Sequence, residues 1–309
     1  YEKETVILAQ IDLTTGSIPK TLLRFAFPMI CGNLLQQLYN VADTLIVGRF
    51  LGSDALGAVG SSYTLMTFLT SILLGLCMGS GALFSVCWGQ RDLARLRRQT
   101  HAAFVLIAVC TVVLNAAAFL LLDAMKTLLS VPAEVWPLMR SYLFVIFLGI
   151  GGTFLYNYYA SLLRAVGNSL VPLLFLAAAA VLNIALDLVF VLVCRWGVEG
   201  AAAATVLAQW LSGIGTAVYT LVRCPELRAR REERRITGAM LRELLSASVL
   251  TCLQQSVMNL GILMVQGRIN SFGPVIMAAF AAAVKIDSFA YMPLQDFGNA
   301  FSTFIAQNY

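Results

Sequence analysis

Eight long apolar segments constrain the fold of this chain more than any other feature of its sequence. A helix needs about 20 mainly apolar residues to cross the hydrocarbon core of a bilayer, and each segment is at least that long. They lie at 22–47, 56–88, 100–122, 138–163, 170–193, 199–222, 243–267 and 275–306. Because these runs are too long for tilted barrel strands and lack their alternation, we expect an all-α polytopic membrane protein.

The composition excludes a soluble globular chain of this size. Of its 309 residues, 59% are hydrophobic and 12% are charged, whereas soluble domains carry roughly a quarter charged residues. The seven cysteines are scattered without a CxxC pair, and the single histidine, His101, begins an apolar segment after a basic loop. We therefore expect no cofactor, no resident metal and no nucleic-acid partner, but a monomer surrounded by membrane lipids.

Basic residues are distributed unevenly between the loops. Fifteen of the 21 Lys and Arg residues fall in one alternating set of loops, five fall in the other set, and Lys285 lies within a span. Loops rich in Lys and Arg remain on the cytoplasmic side of a membrane. The N-terminus and the basic segment 223–242 are therefore predicted to be cytoplasmic.

The second part of the chain repeats a pattern from the first. In each copy a Gln pair precedes an Asn, and a Gly-Arg pair follows after seven residues. The copies are Gln36-Gln37, Asn40 and Gly48-Arg49 in span one, and Gln254-Gln255, Asn259 and Gly267-Arg268 in span seven. Repeats with an even number of spans keep the same orientation, as in parallel-repeat transporters.

The repeat divides the chain into two lobes. We assign 1–222 to an N-terminal lobe of six spans, 223–242 to a basic linker, and 243–309 to the first two spans of a second lobe. A second lobe of six spans requires four more, so we expect the natural protein to be longer, with about 12 spans.

Polar residues at membrane depth mark the candidate functional positions, because such residues are costly there and line bundle interiors or aqueous cavities. In span one, Gln36, Asn40 and Asp43 recur at i, i+4 and i+7 and share one helix face. In span five, Asn183 and Asp187 are four residues apart and share a face as well.

Two further spans contribute neutral polar side chains. Span four holds Asn157, and span six holds Thr205 with Gln209 one turn later. Carboxylates with neutral oxygens suit a proton or a hard cation such as Na⁺. The alternative, in which these residues form hydrogen bonds that hold the helices together, stays open. Pro28 is expected to kink span one or act as its hinge.

At these residues the chain resembles the MATE (multidrug and toxic compound extrusion) family, in particular its prokaryotic DinF-type branch. The resemblance extends over 19–309. The motifs that carry it are Gln37-x2-Asn40-x2-Asp43, Gly48-Arg49-x2-Gly52, the run from Leu163 to Asn168, and the run from Val198 to Thr205.

The resemblance implies a bundle of two lobes with six spans each and a cation site in the first lobe. The matching site residues are Asp43, Asn157, Asn183, Asp187 and Thr205, and Pro28 matches the bending proline of span one. The implied function is that of a secondary antiporter in the inner or plasma membrane of a bacterium or archaeon. It would export organic, often cationic or amphiphilic, compounds in exchange for H⁺ or Na⁺ by alternating access.

The sequence of span seven differs from that of another branch of the family. The NorM-type branch carries a Glu there, whereas this chain reads Leu253-Gln254-Gln255-Ser256. This departure favours ion coupling through the first lobe and makes Gln255 a residue of the substrate cavity. The roles of Lys285, Asp287 and Asp296 in span eight stay open.

The sequence argues against two other functions. A flippase for lipid-linked saccharides, from the same superfamily, is expected to carry several cationic residues inside its cavity, and the first lobe has none well within its spans. A membrane-embedded enzyme needs a nucleophile with a base or a metal cluster, and neither occurs in the loops. We therefore expect a transporter and not an enzyme.

The basic loops predict the orientation of the chain. In a variant without its native cysteines, Arg231→Cys should escape labelling by an impermeant thiol reagent in intact cells, because 223–242 is predicted to be cytoplasmic. Arg195→Cys, in the opposite set of loops, is the matched control and should be labelled. Labelling of position 231 with protection of position 195 would show that the orientation is reversed.

Overall fold

The computed structural model describes residues 11–309, with the backbone alone described at Lys285 and Ser288. Lys3 and the Lys285 side chain, both counted above, lie outside this description. Every regular element in the described range is helical, which confirms the all-α fold. The helices are α1 (Ile18–Leu51), α2 (Ser53–Gly89), α3 (Leu93–Leu120), the short α4 (Ala124–Leu128), α5 (Trp136–Ile146), α6 (Ile150–Ala165), α7 (Leu170–Asp187), α8 (Gly197–Arg223), α9 (Gly238–Asn270) and α10 (Pro274–Asn308).

Seven helical stretches of the described chain are long and apolar enough to cross a membrane. They coincide with the second to the eighth predicted spans, with α5 and α6 together forming one of them. The first predicted span forms α1, whose 34 residues extend over roughly 50 Å at the α-helical rise. The polar stripe from Gln36 to Asp43 interrupts its apolar sequence.

Span four is divided by a 3₁₀ turn at Phe147–Gly149 and does not form one continuous α-helix. Side chains of neighbouring helices bind the carbonyl groups of this turn. Asn115 Nδ2 donates to the Phe147 carbonyl, and Trp210 Nε1 donates to the Leu148 carbonyl, both at 3.0 Å. The turn therefore keeps its backbone groups hydrogen-bonded inside the bundle, as the hydrocarbon core requires.

Span five ends in a π-helical segment, Leu188–Val193, which directly follows Asp187. The Cys194 N–H donates to the Val189 carbonyl, five residues back, at 2.8 Å. Single π turns inside longer helices are often found at functional sites. The change from α-helical to π-helical geometry therefore lies next to Asp187, a predicted site residue.

Helix α2 is the centre of the bundle, and both parts of the chain pack against it. It contacts α1, α3, α5 and α6 of the first part and α9 and α10 of the second, and α10 also contacts α1. Large apolar side chains such as Phe27, Val113 and Leu250 are more than 60% exposed, as expected for surfaces that face lipid. The boundary between lobes at 222 and 243 stays a prediction.

Small residues bring α2 and α9 into backbone contact. A Cβ atom added to Gly75 would lie 2.5 Å from Cys252 Cα, and one added to Gly79 would collide with Ser248. Helices approach this closely in membranes when their interface is made of Gly, Ser and Ala. We call this α2–α9 contact the glycine seam.

Polar contacts hold the glycine seam at both of its ends. At one end, Gln266 Nε2 donates to Ser61 Oγ (3.1 Å) and Asn270 Oδ1 (2.7 Å), and Asn270 Nδ2 donates to the Leu129 carbonyl (2.9 Å). The other end is the arginine-rich end of the bundle, which holds the α2–α3 turn and the segment between α8 and α9.

At the arginine-rich end, α9 is joined to α3. Arg95 forms a salt bridge with Glu243, and Gln99 Nε2 donates to Glu243 Oε2 at 2.6 Å. Glu243 lies in the second turn of α9, so the first turns of α9 are held against α3. The two ends of α9 are therefore fixed by different sets of contacts.

The glycine seam predicts the effect of adding one methyl group. Gly75→Ala should destabilise the protein by about 1–3 kcal/mol, the usual cost of overpacking a close contact, and should lower its melting temperature in detergent. Gly261→Ala, on the same seam helix α9, is the matched control, because a Cβ there meets no atom within 4 Å. Equal melting temperatures for the two variants would contradict the close approach of α2 and α9.

Candidate functional site

Two of the predicted site residues, Asn183 and Thr205, contact each other between α7 and α8. Asn183 Nδ2 donates to Thr205 Oγ1 at 3.2 Å. Asn183 is fully buried, and its Oδ1 accepts no hydrogen bond from the described residues. The Asn183 amide oxygen therefore remains inside the bundle, where it can accept a hydrogen bond or bind a cation.

Asp187 lies one helical turn beyond Asn183, at the last position of α7. It is fully buried, and neither of its carboxylate oxygens has a hydrogen-bond partner among the described residues. An ionised carboxylate in such a position is very costly unless it is paired or neutralised. This position therefore suits a proton or a cation bound at the carboxylate.

Asp43 of α1 approaches the same region. It is 5% exposed, α1 packs against α7, and the carboxylates of Asp43 and Asp187 are close enough for their charges to interact. Two carboxylates in one buried region repel each other when both are ionised. A bound cation or proton relieves that repulsion.

Tyr142 of α5 belongs to this region, although the sequence analysis did not single it out. It is 5% exposed, and its phenol is close enough to interact electrostatically with Asp43 and with Asp187. The residue follows Ser141 and precedes Leu143 and Phe144, so nothing in the local pattern distinguishes it from a core aromatic residue. Only the packing of α5 shows its position.

Asn157 and Gln209 make different contacts. Asn157 is half-buried on α6 and donates to the Thr153 carbonyl of its own helix at 2.8 Å, so its membership of the ion site stays a prediction. Gln209 lies one turn beyond Thr205 on α8. Its Oε1 is buried without a hydrogen-bond partner in the described structure and occupies the space that a Cβ at Gly149 would need.

The remaining predicted cavity residues are spread over α1 and α9. Gln36 and Asn40 are half-buried on α1, and Gln255 is 7% exposed on α9. The Gln255 carbonyl accepts a hydrogen bond from Asn259 Nδ2 at 2.9 Å. Helix α1 remains helical through Pro28, and its role as a hinge stays a prediction.

A second buried carboxylate site joins α1 to α10. Asn33 Nδ2 donates to Asp296 Oδ1 at 2.5 Å, Asp296 is 3% exposed, and its Oδ2 has no hydrogen-bond partner in the described chain. Arg164 of α6 is close enough to interact with it electrostatically. The second part of the chain therefore contributes a buried carboxylate, Asp296 of α10, although α9 has no carboxylate at the position of Gln255. Asp287, the other aspartate of α10, is exposed.

The described residues contain no group of three or more His, Cys, Asp and Glu side chains arranged to hold a metal ion. The region around Asp187 instead combines two carboxylates with amide and hydroxyl oxygens from α1, α7 and α8. Such oxygen-rich sets suit hard monovalent or divalent cations and protons more than transition metals.

Comparison with known proteins places this geometry in a family. The MatE family model matches residues 28–189. The probable multidrug resistance protein YpnP of Bacillus subtilis (strain 168) is 31% identical over 298 residues, which cover 96% of this chain and 66% of YpnP. The probable multidrug resistance protein YoeA of the same organism is 27% identical over 299 residues, which cover 94% of this chain and 65% of YoeA.

A solved structure supports the same fold. A MOP superfamily transporter from Pyrococcus furiosus superposes with a TM-score of 0.84 at 23% identity, over 96% of this chain and 66% of that protein. The chain thus spans slightly less than two thirds of the length of these relatives. Since the family model covers more than half of the chain, from Pro28 past Asp187, this multi-pass membrane protein belongs to the MATE family.

Proposed function

We propose that the chain is part of a secondary antiporter that exports organic, often cationic or amphiphilic, compounds in exchange for H⁺ or Na⁺. The observation that carries the proposal is Asp187, a fully buried carboxylate whose two oxygens accept no hydrogen bond from the described residues. A residue that only holds helices together would use its oxygens to do so. The names of YpnP and YoeA, both probable multidrug resistance proteins, support the export of drugs.

The coupling ion would bind between α1, α7 and α8. Asp187 and Asp43 supply negative charge, and the Asn183 amide and Thr205 hydroxyl supply neutral oxygens. Binding of a cation would attract both carboxylates and draw α1 towards α7, whereas its release would restore their repulsion. An ion can shift a conformational equilibrium only through such a difference in affinity between two states.

Helix α1 would transmit this change to the second part of the chain. It carries both Asp43 and Asn33, which lie ten residues or roughly 15 Å apart along the helix axis. Asn33 contacts Asp296 of α10. Movement of α1 at the ion site would therefore alter a contact between the two proposed lobes, as alternating access requires.

Neutralising Asp187 tests the ion site. Asp187→Asn should abolish export driven by an imposed H⁺ or Na⁺ gradient in everted vesicles, because it removes the charge that attracts the ion and keeps the side-chain shape. Membrane insertion, measured by the amount of protein in the vesicles, should stay unchanged. Export at the normal rate by Asp187→Asn would remove the basis of the proposal.

Asp123→Asn is the matched control for that substitution. Asp123 is exposed in the turn between α3 and α4, and the hydrogen bond that it accepts from Arg140 Nε at 2.8 Å lowers its pKa below the ordinary value. The carboxylate is therefore charged at neutral pH, and Asp123→Asn removes the same charge at a position away from the ion site. Gradient-driven export by this variant should equal that of the unmodified protein.

Replacing Gln255 tests whether the second part of the chain binds the substrate while the first part binds the coupling ion. Gln255→Ala should change the concentration of substrate needed for half-maximal export by several-fold and leave its dependence on pH or Na⁺ unchanged. Gln254→Ala, which alters the adjacent exposed amide on α9, should affect neither. A shifted ion dependence in Gln255→Ala with unchanged substrate binding would assign Gln255 to the ion site.

A further inference from the structure

An open pocket of about 770 Å³ lies at the arginine-rich end, between the first turns of α3 and the segment that joins α8 to α9. Five guanidinium groups line it, together with a single carboxylate. They belong to Arg97, Arg228, Arg230, Arg231, Arg234 and Glu226. Its volume falls in the range of pockets that bind small molecules.

Salt bridges to protein carboxylates neutralise only part of the positive charge in this pocket. Within the described residues, Arg97 is the only one of the five arginines in a salt bridge, with its Nε 3.0 Å from Glu233 Oε2. Arg228, Arg230, Arg231 and Arg234 are exposed. Like charges gathered on one concave surface repel each other, so the arrangement favours a bound anion.

The segment that carries these arginines is folded against the bundle. Cys224 and Leu227 are buried, at 1% and 4% exposure, and the 3₁₀ turn Pro225–Leu227 packs on α3 and α8. The salt bridge from Arg97 ties Glu233 of the next 3₁₀ turn, Arg231–Arg234, to α3. A ligand at this pocket would therefore meet arginines whose backbone is already held against the bundle, which lowers the entropy cost of binding.

The pocket lies beside a surface that faces lipid. The last turn of α8 exposes Leu221 and Val222, at 45% and 69%, and Val222 precedes the pocket residue Pro225 by three positions. An anionic group and an apolar chain could thus be accommodated side by side. A free phosphate would use the arginines alone.

We propose that this pocket binds the headgroup of an anionic phospholipid, with the phosphate among the exposed arginines and the acyl chains along the end of α8. Guanidinium groups bind phosphate oxygens in a bidentate manner, and basic pockets at the ends of membrane helices bind lipid headgroups. The bound lipid would brace the segment between α8 and α9. The proposal depends on neither the exported compound nor the coupling ion.

The test compares lipid binding by two double variants of the purified protein in detergent. Phosphatidylglycerol, phosphatidylcholine and inorganic phosphate are titrated separately, with native mass spectrometry and the melting temperature as readouts. Arg231→Gln with Arg234→Gln should weaken phosphatidylglycerol binding by roughly 30-fold, the effect expected for two basic residues at an anionic membrane surface. Arg49→Gln with Arg268→Gln, two exposed arginines at the opposite end, should bind as tightly as the unmodified protein.

Each other outcome counts against the proposal. Equal loss in the two double variants would show attraction by net charge alone, and equal stabilisation by phosphatidylcholine would show that the headgroup charge is irrelevant. Stabilisation by inorganic phosphate at the same concentrations would identify a free anion as the ligand. Arg228→Gln, outside the Arg231–Arg234 turn, should also weaken phosphatidylglycerol binding. Normal binding by the Arg228→Gln variant would show that the lipid binds elsewhere.

Discussion

The hydrocarbon core of a membrane offers no water to hydrogen-bond polar groups, and the rest of this structure depends on that constraint. Helices satisfy the backbone, and where a helix changes form, side chains complete the bonding, as Asn115 and Trp210 do at Phe147 and Leu148. Against this background a buried oxygen without a partner is exceptional. Asp187 is the clearest case, which is why it carries the functional proposal.

Several features of the fold and site could be predicted because they follow from long sequence patterns. Apolar length predicted the spans, and helical spacing placed Asn183 and Asp187 on one face of α7. Thr205 was singled out as a polar residue within span six, and Asn183 contacts it. The 3₁₀ turn at 147–149 and the role of Tyr142 could not be predicted, because both lie in apolar runs whose composition is the same in a continuous core helix.

The contacts between the two parts of the chain were also beyond sequence reasoning. Gly75 and Ser248 are unremarkable in their own segments, and only the approach of α2 to α9 shows why small residues occur there. Likewise, the partner of Asp296, Asn33, lies 263 residues away in the sequence. Such pairs depend on how helices distant in sequence pack together.

The π-helical segment after Asp187 has a consequence for how this region can change in evolution. A π turn holds one residue more than an α-helical turn, and one residue corresponds to a rotation of roughly 100° about the helix axis. The loss of a single residue from Leu188–Val193 could restore regular α-helical pitch without moving Asp187, which precedes it. The loop that begins at Cys194, and the stacked rings of Phe190 and Trp196, would then be turned relative to a carboxylate that keeps its place. Length variation here thus offers a way to remodel the end of the bundle while the buried charge is conserved.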